Sequence, residues 1–210
     1  MQEHSRGGIV THRTAKDFEM KRKLASTLLL SMAVLCAGCS IGGGESETPL
    51  APQPAKAIDA AKFYTGRWYE IARTPMKLTD GCVAGTTDYY TKSNGQLIDR
   101  DACRDDTPEG KEEMYQGPVT ILNPGENNKV TVNYTVFHVF SAKRTYWMLD
   151  RGDDYGWFIV SDPAFKFISL FTRAPRPSAA EVAQLTARAK SLGYDTSLLE
   201  YPTPFPVGEK

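Results

Sequence analysis

Few residues of this 210-residue chain have the types and spacing to carry chemistry, and the strongest candidates argue against catalysis. His138 is the only histidine downstream of residue 38, at the end of an apolar alternating segment. It reads as a rim or core residue rather than a general base, because no Ser, Cys or second His stands at a spacing that would build a nucleophile–base pair. The acids Asp99, Asp101, Asp105, Asp106, Glu112 and Glu113 could be imagined around calcium, but the regular Asp-x-Asp-x-Asp-Gly loop is missing. Arg100, Arg104 and Lys111 are threaded between them, so the run reads as a solvated, internally paired edge. No His/Cys set has metal-ligand spacing and no glycine-rich phosphate loop follows a strand, so neither a metal nor a cofactor is expected. Cys36, Cys39, Cys82 and Cys103 are left as the residues whose chemistry needs a context.

That context begins at the N-terminus. Met20-Lys21-Arg22-Lys23 precedes an apolar run over residues 24–37 that is short and carries Ser26, Thr27 and Ser31, which favours a secretory signal over a spanning helix. Cys36-Ala37-Gly38-Cys39 resembles a bacterial lipobox, with Cys36 where that pattern has Leu. The expectation is a signal peptide over 20–38, acylation at Cys39, and a non-native extension over 1–19. Ser40, rather than Asp, resembles the signal for passage to the outer membrane, at its periplasmic face. Removing the first 38 residues would leave 172 with a net charge of −3, and the whole chain balances 25 basic against 25 acidic residues. No basic surplus is available for bulk nucleic-acid binding. Residues 39–57, rich in Gly, Pro, Ala and Ser, read as a flexible tether, 58–201 as the folded domain and 202–210 as a tail.

The domain must then position whatever binds. Ten Tyr, nine Phe and three Trp among β-branched residues favour strands. Segments 67–74, 84–91, 96–103, 112–122, 129–137, 144–151, 155–161 and 165–172 are separated by turn chemistry such as Ser93-Asn94-Gly95 and Asn123-Pro124-Gly125. Eight consecutive strands with short links predict an all-β antiparallel up-and-down meander, and closing it into a barrel hides its edges. Ser178-Ala179-Ala180-Glu181 is a capping box, followed by Val182, Leu185, Ala189 and Leu192 on one stripe and a stop at Gly193. It predicts one C-terminal α-helix packed outside the barrel. Cys82 and Cys103 begin one strand and end the next, so antiparallel pairing brings them roughly opposite; in an exported protein that reads as a disulfide, with two free thiols as the alternative.

Three motifs carry a family resemblance. Gly66-Arg67-Trp68-Tyr69-Glu70-Ile71-Ala72-Arg73 resembles the first signature of lipocalins, Gly152-Asp153-Asp154-Tyr155 the turn of the second, and Phe171-Thr172-Arg173 the third. They occur in order across nearly all of 58–201 and are most similar to bacterial outer-membrane lipocalins, themselves lipoproteins. The resemblance implies that Gly66, Trp68, Asp154, Tyr155 and Arg173 are structural, Trp68 plugging one barrel end beneath the Arg173 cation. Carrying it along the strands sets Glu70, Ala72, Tyr146, Met148, Trp157, Ile159, Phe167 and Ser169 inside as the ligand lining. It implies a carrier of fatty acids or lysophospholipids for lipid storage, transport and envelope maintenance, not an enzyme, attached to the membrane by its N-terminal lipid. A carrier of another hydrophobic ligand such as a tetrapyrrole, or a barrel enzyme acting on a lipid, are the rivals, and the sequence leaves a homodimer open.

Overall fold

A computed structural model describes residues 50–136 and 140–206. The expected meander is present: β1 Gly66–Arg73, β2 Cys82–Thr91, β3 Leu97–Asp105, β4 Glu112–Ile121, β5 Lys129–Val136, β6 Phe140–Arg151, β7 Trp157–Ser161 and β8 Ile168–Thr172. Each strand pairs antiparallel with the next, and β1 pairs with β8, so the sheet closes into an eight-stranded barrel without free edges. A short helix, α1 Ala60–Phe63, precedes β1, and α2 Ala179–Ser191 follows β8. The signal, Cys39, His138 and residues 207–210 lie outside the described residues.

The ends of the strands define two different ends of the barrel. At one, α1 and the β2–β3, β4–β5 and β6–β7 turns meet the entry to β1; this is the closed end. At the other, the mouth, lie the 74–81 segment, the β3–β4 turn and the β7–β8 turn, the first and last joined where the Thr74 N–H donates to the Ile168 carbonyl at 2.9 Å. Gly66 enters β1 at φ +63°, a left-handed backbone that a side chain would strain. Tyr155 holds φ +57° in the β6–β7 turn, where its hydroxyl accepts the Asp59 N–H at 2.9 Å and Arg151 lies 4.3 Å from its ring. The Asp154 carboxylate accepts the Gly156 N–H at 2.9 Å in the same turn.

The capping box forms as expected: the Ser178 hydroxyl accepts from the Glu181 N–H, and the Glu181 carboxylate accepts the Ser178 N–H at 2.7 Å. α2 lays Leu185 and Ala189 against the outer faces of β6, β7, β8 and β1, burying Ile71, Ala72, Trp147, Leu149, Ile159, Ile168 and Leu170. Cys82 and Cys103 are joined in a disulfide with Cα atoms 5.6 Å apart.

One boundary differs from the expectation. Residues 50–57, read as part of the tether, run along the barrel wall. The Leu50 and Ala51 N–H groups donate to the Pro163 carbonyl, Ala55 N–H to Leu149, and Ile58 N–H to Glu126. Arg151 and Asn128 donate to the carbonyls of Ala57 and Lys56. A Pro-rich segment has few backbone donors of its own, and here the barrel supplies the partners.

Candidate binding site in the barrel

The closed end is filled. Trp68, fully buried, donates its indole N–H to the Phe63 carbonyl at 3.2 Å. Its ring meets Phe158 at 4.8 Å and Phe63 at 5.2 Å, and Phe158 stacks on Phe171 at 4.7 Å. The Arg173 guanidinium lies 3.5 Å over the Trp68 ring and donates to the Arg67 carbonyl at 2.8 Å. Burial lowers its pKa to about 10. A cation held by a π-face and carbonyls alone is a structural clasp, as the signature implied.

Above this plug the interior has two unlike walls. The apolar wall comes from β5 to β8: Val130, Val132, Met148, Phe158, Val160 and Phe171 are buried, with Phe167 half-buried beside them. The polar wall comes from β1 to β3. Asp99 is buried at 2% exposure, and Asp101 shares its face two residues on. The Thr87 hydroxyl donates to Asp101 at 2.5 Å and the Tyr134 hydroxyl to its other oxygen at 2.6 Å. Tyr89 stands beside Asp99 and bridges down to Phe63 and Tyr64 in the plug. Burial, reinforced by the neighbouring Asp101, holds the Asp99 carboxyl well above the usual range, and burial raises Asp101 too. Two carboxyls so close and so dry favour a retained proton, which makes this wall a hydrogen-bond donor as well as an acceptor.

Glu70 of the polar wall and Ser169 of the adjoining β8 are polar too but already engaged. Ser169 donates its hydroxyl to the Glu70 carboxylate, and Glu70 accepts from Arg73 at 2.7 Å. Arg73, 3% exposed, also bonds Glu200 at 2.6 Å and the Thr79 and Cys82 carbonyls, so this cluster ties the mouth loops and the C-terminal segment to the barrel.

Five of the eight expected lining residues therefore face the interior: Glu70, Tyr146, Met148, Phe167 and Ser169. Ala72, Trp157 and Ile159 do not; they lie in the outer seam under α2. A bulge between Glu70 and Ala72 shifts the alternation of β1. On β7, register pairs Phe158 with Phe171 and Val160 with Ser169, so the inward residues are the neighbours of the two expected. Hydrophobicity could not reveal this, because the α2 seam makes β7 apolar on both faces.

The acidic run is also corrected in part. Arg100, Asp88, Arg67 and Glu112 do pair on the outside, Arg67 meeting Asp88 at 2.8 Å, but Asp99 and Asp101 point inward. An i, i+2 spacing of acids against Arg100 was the available signal. Arg144 was missed altogether. It pairs with inward-facing Val132, two residues towards the mouth from Tyr146, and is exposed with no ion-pair partner among the described residues. It is a cation on the inner face that solvent, or a ligand head group, can reach. Among the described residues no group of acids, His and Cys could hold a metal.

Comparison with known proteins agrees with this geometry. The Lipocalin-like domain family matches residues 58–204. The Outer membrane lipoprotein Blc of Vibrio cholerae serotype O1 is 25% identical over 180 residues, covering 85% of this chain and 98% of that protein. Temperature-induced lipocalin-1 of Arabidopsis thaliana is 26% identical over 145 residues, 67% of this chain and 76% of that protein. Among solved structures, insecticyanin from the tobacco hornworm Manduca sexta superposes with a TM-score of 0.55 at 17% identity, covering 72% of this chain and 85% of its own. The cockroach allergen Per a 4 gives 0.53 at 19% identity, over 72% and 92%. The closed up-and-down barrel, the Trp68–Arg173 clasp and the family match together establish that this chain belongs to the lipocalin-like family, whose members are typically carriers of small hydrophobic ligands.

Proposed function

We propose that the protein is a lipid-anchored carrier that holds a fatty acid or lysophospholipid in its barrel. The observation that carries this reading is the division of the interior into an apolar wall and a polar wall, with Arg144 nearer the mouth. An acyl chain against Val132, Met148, Val160 and Phe171 would gain roughly 12 kcal/mol gross for about 15 buried methylenes. Immobilisation and desolvation remove several kcal/mol of this, which leaves a micromolar to sub-micromolar affinity. An anionic carboxylate or phosphate would meet Arg144, and Tyr134, Tyr146 and the proton shared by the Asp99–Asp101 pair would supply donors below it.

Acylation at Cys39 and residence at the periplasmic face of the outer membrane complete the proposal. The relative from Vibrio cholerae carries the name of an outer membrane lipoprotein, and the 85% of this chain that it matches leaves fewer residues outside than precede Cys39, so the matched span includes that cysteine. No helix among the described residues is long and apolar enough to cross a membrane.

The test is extraction and analysis of what co-purifies with the full chain, followed by titration of the delipidated protein with a fluorescent fatty acid and a lysophospholipid. Recovery of acyl lipids and saturable, competable binding is the expected result. Recovery of a tetrapyrrole, or conversion of the lipid on incubation, would replace this reading with one of its rivals.

A further inference from the structure

The exposed apolar side chains are not spread evenly over the barrel. Leu78 is 61% exposed and Met76 38% exposed in the segment between β1 and β2, at the mouth. Leu50, 72% exposed, is held at the β7–β8 turn through the Pro163 carbonyl, also at the mouth. Leu198, 54% exposed, follows Tyr194, whose hydroxyl bonds Thr74 at 2.5 Å just beyond the end of β1. The closed end shows only Tyr90 and Leu122 among the described residues of this kind. Large apolar groups exposed together on one face mark a contact surface. Lys77 stands between Met76 and Leu78, where its stem can lie along an apolar surface while its ammonium reaches a phosphate layer. Asp105 ends β3, and Asp106 and Glu109 follow in the β3–β4 turn; the Asp106 N–H donates to the Gly81 carbonyl at 2.7 Å, so these acids sit at the β2 end of the 74–81 segment, while Leu50 and Leu198 lie on the β8–β1 side.

The path of the chain says what covers this face. The strap begins at the mouth with Leu50 and descends to the closed end at Ile58, so the segment upstream of Leu50 departs from the mouth. Ten residues separate Cys39 from Leu50. They span at most about 40 Å when fully extended and roughly 20 Å as a flexible chain. At the flexible span, an anchor at Cys39 keeps the mouth nearer the bilayer than the floor.

We infer that the mouth rim on the β8–β1 side, built by Leu50, Met76, Leu78 and Leu198, docks on the lipid surface and opens the barrel towards it. A lipid would then move between bilayer and barrel without a free aqueous step. The inference rests on the anchored-carrier reading for its tether, and its test separates the two.

The full chain and its Cys39→Ser form are mixed with phosphatidylethanolamine–phosphatidylglycerol vesicles containing brominated acyl chains. Each form carries Leu78→Trp at the mouth or Leu122→Trp at the closed end, both exposed positions, and the parent's emission is subtracted. A blue shift and loss of the added emission for Leu78→Trp, with neither for Leu122→Trp, is expected. Quenching of Leu122→Trp equal to or greater than that of Leu78→Trp, or quenching of neither in vesicle-bound protein, would overturn the docking. Equal vesicle flotation of the full chain and its Cys39→Ser form would overturn the anchor and leave the docking standing. Failure of both forms to float would overturn both.

Discussion

At the closed end, Phe63, Trp68, Phe158 and Phe171 fill the barrel ring against ring, and the cation packed on Trp68, Arg173, spends its donors on backbone carbonyls. Towards the mouth, the interior is lined by side chains with chemistry to spare: Tyr134 and Tyr146 beside a carboxyl pair, and Arg144 on the inner face in reach of solvent. The same sheet thus carries a packed half that sets stability and a polar half that, in the proposed carrier, would set recognition. Substitutions at the two ends should accordingly have separable effects.

The sharpest break in that comparison is Trp68→Ala. Emptying the plug should cost about 3–5 kcal/mol in urea unfolding, and binding should fail only as the protein unfolds. Next comes the double change of Cys82 and Cys103 to Ser. The bridge closes a loop of sequence separation 21 near the mouth, so its removal should cost about 3 kcal/mol of stability by the chain-entropy relation. An unchanged denaturation midpoint in the double variant would contradict the pairing as a stabilising element.

At the polar half the readout changes from stability to affinity. Arg144→Glu should weaken an anionic lipid about tenfold or more, roughly 1.4 kcal/mol, while a neutral-headed ligand and the unfolding midpoint stay put. Equal loss for neutral and anionic ligands would show that Arg144 is not the head-group contact.

The smallest effect concerns Asp99. Its carboxyl is raised in the folded state by burial and by Asp101, so the stability it contributes is fully present below the unfolded value of about 4 and is lost as pH rises through the raised value. Protein stability should therefore increase on acidification from neutral towards pH 4 by more in the parent than in Asp99→Asn. Identical pH profiles for the two would show that the pair retains no proton. The same charging should weaken fatty-acid binding at alkaline pH, because carboxylates would then face carboxylates.

The sequence was most readable where local chemistry decides. The Ser178–Glu181 cap, the Gly66 entry, the Trp68–Arg173 clasp and the disulfide depend on residue type at fixed positions, and each forms. Face assignment was readable only where one face is polar, as on β5, whose alternating Val130, Val132 and Tyr134 do point inward. It failed on β7, apolar on both sides because α2 covers the outside, and on β1, where a bulge interrupts the count at Ala72. The inward turn of Asp99 and Asp101 was hidden by their outward neighbour Arg100, which made the run look like a solvated edge. Arg144 was invisible for a different reason: a single basic residue in a strand gains meaning only from the register that pairs it with Val132.

The corrected faces give the central claim its most direct measurement. The delipidated full chain, with Phe167→Glu and Trp157→Glu variants, would be titrated with a fluorescent fatty acid under non-reducing conditions, with unfolding midpoints recorded alongside. Phe167 stands beside Tyr146 at 6.3 Å on the inner side, whereas Trp157 lies in the seam under α2. One-site saturable binding is expected, abolished by Phe167→Glu without unfolding of the protein and left intact by Trp157→Glu. Binding that survives Phe167→Glu, or no saturable binding by the folded, disulfide-bonded parent, would contradict a ligand seated in the barrel.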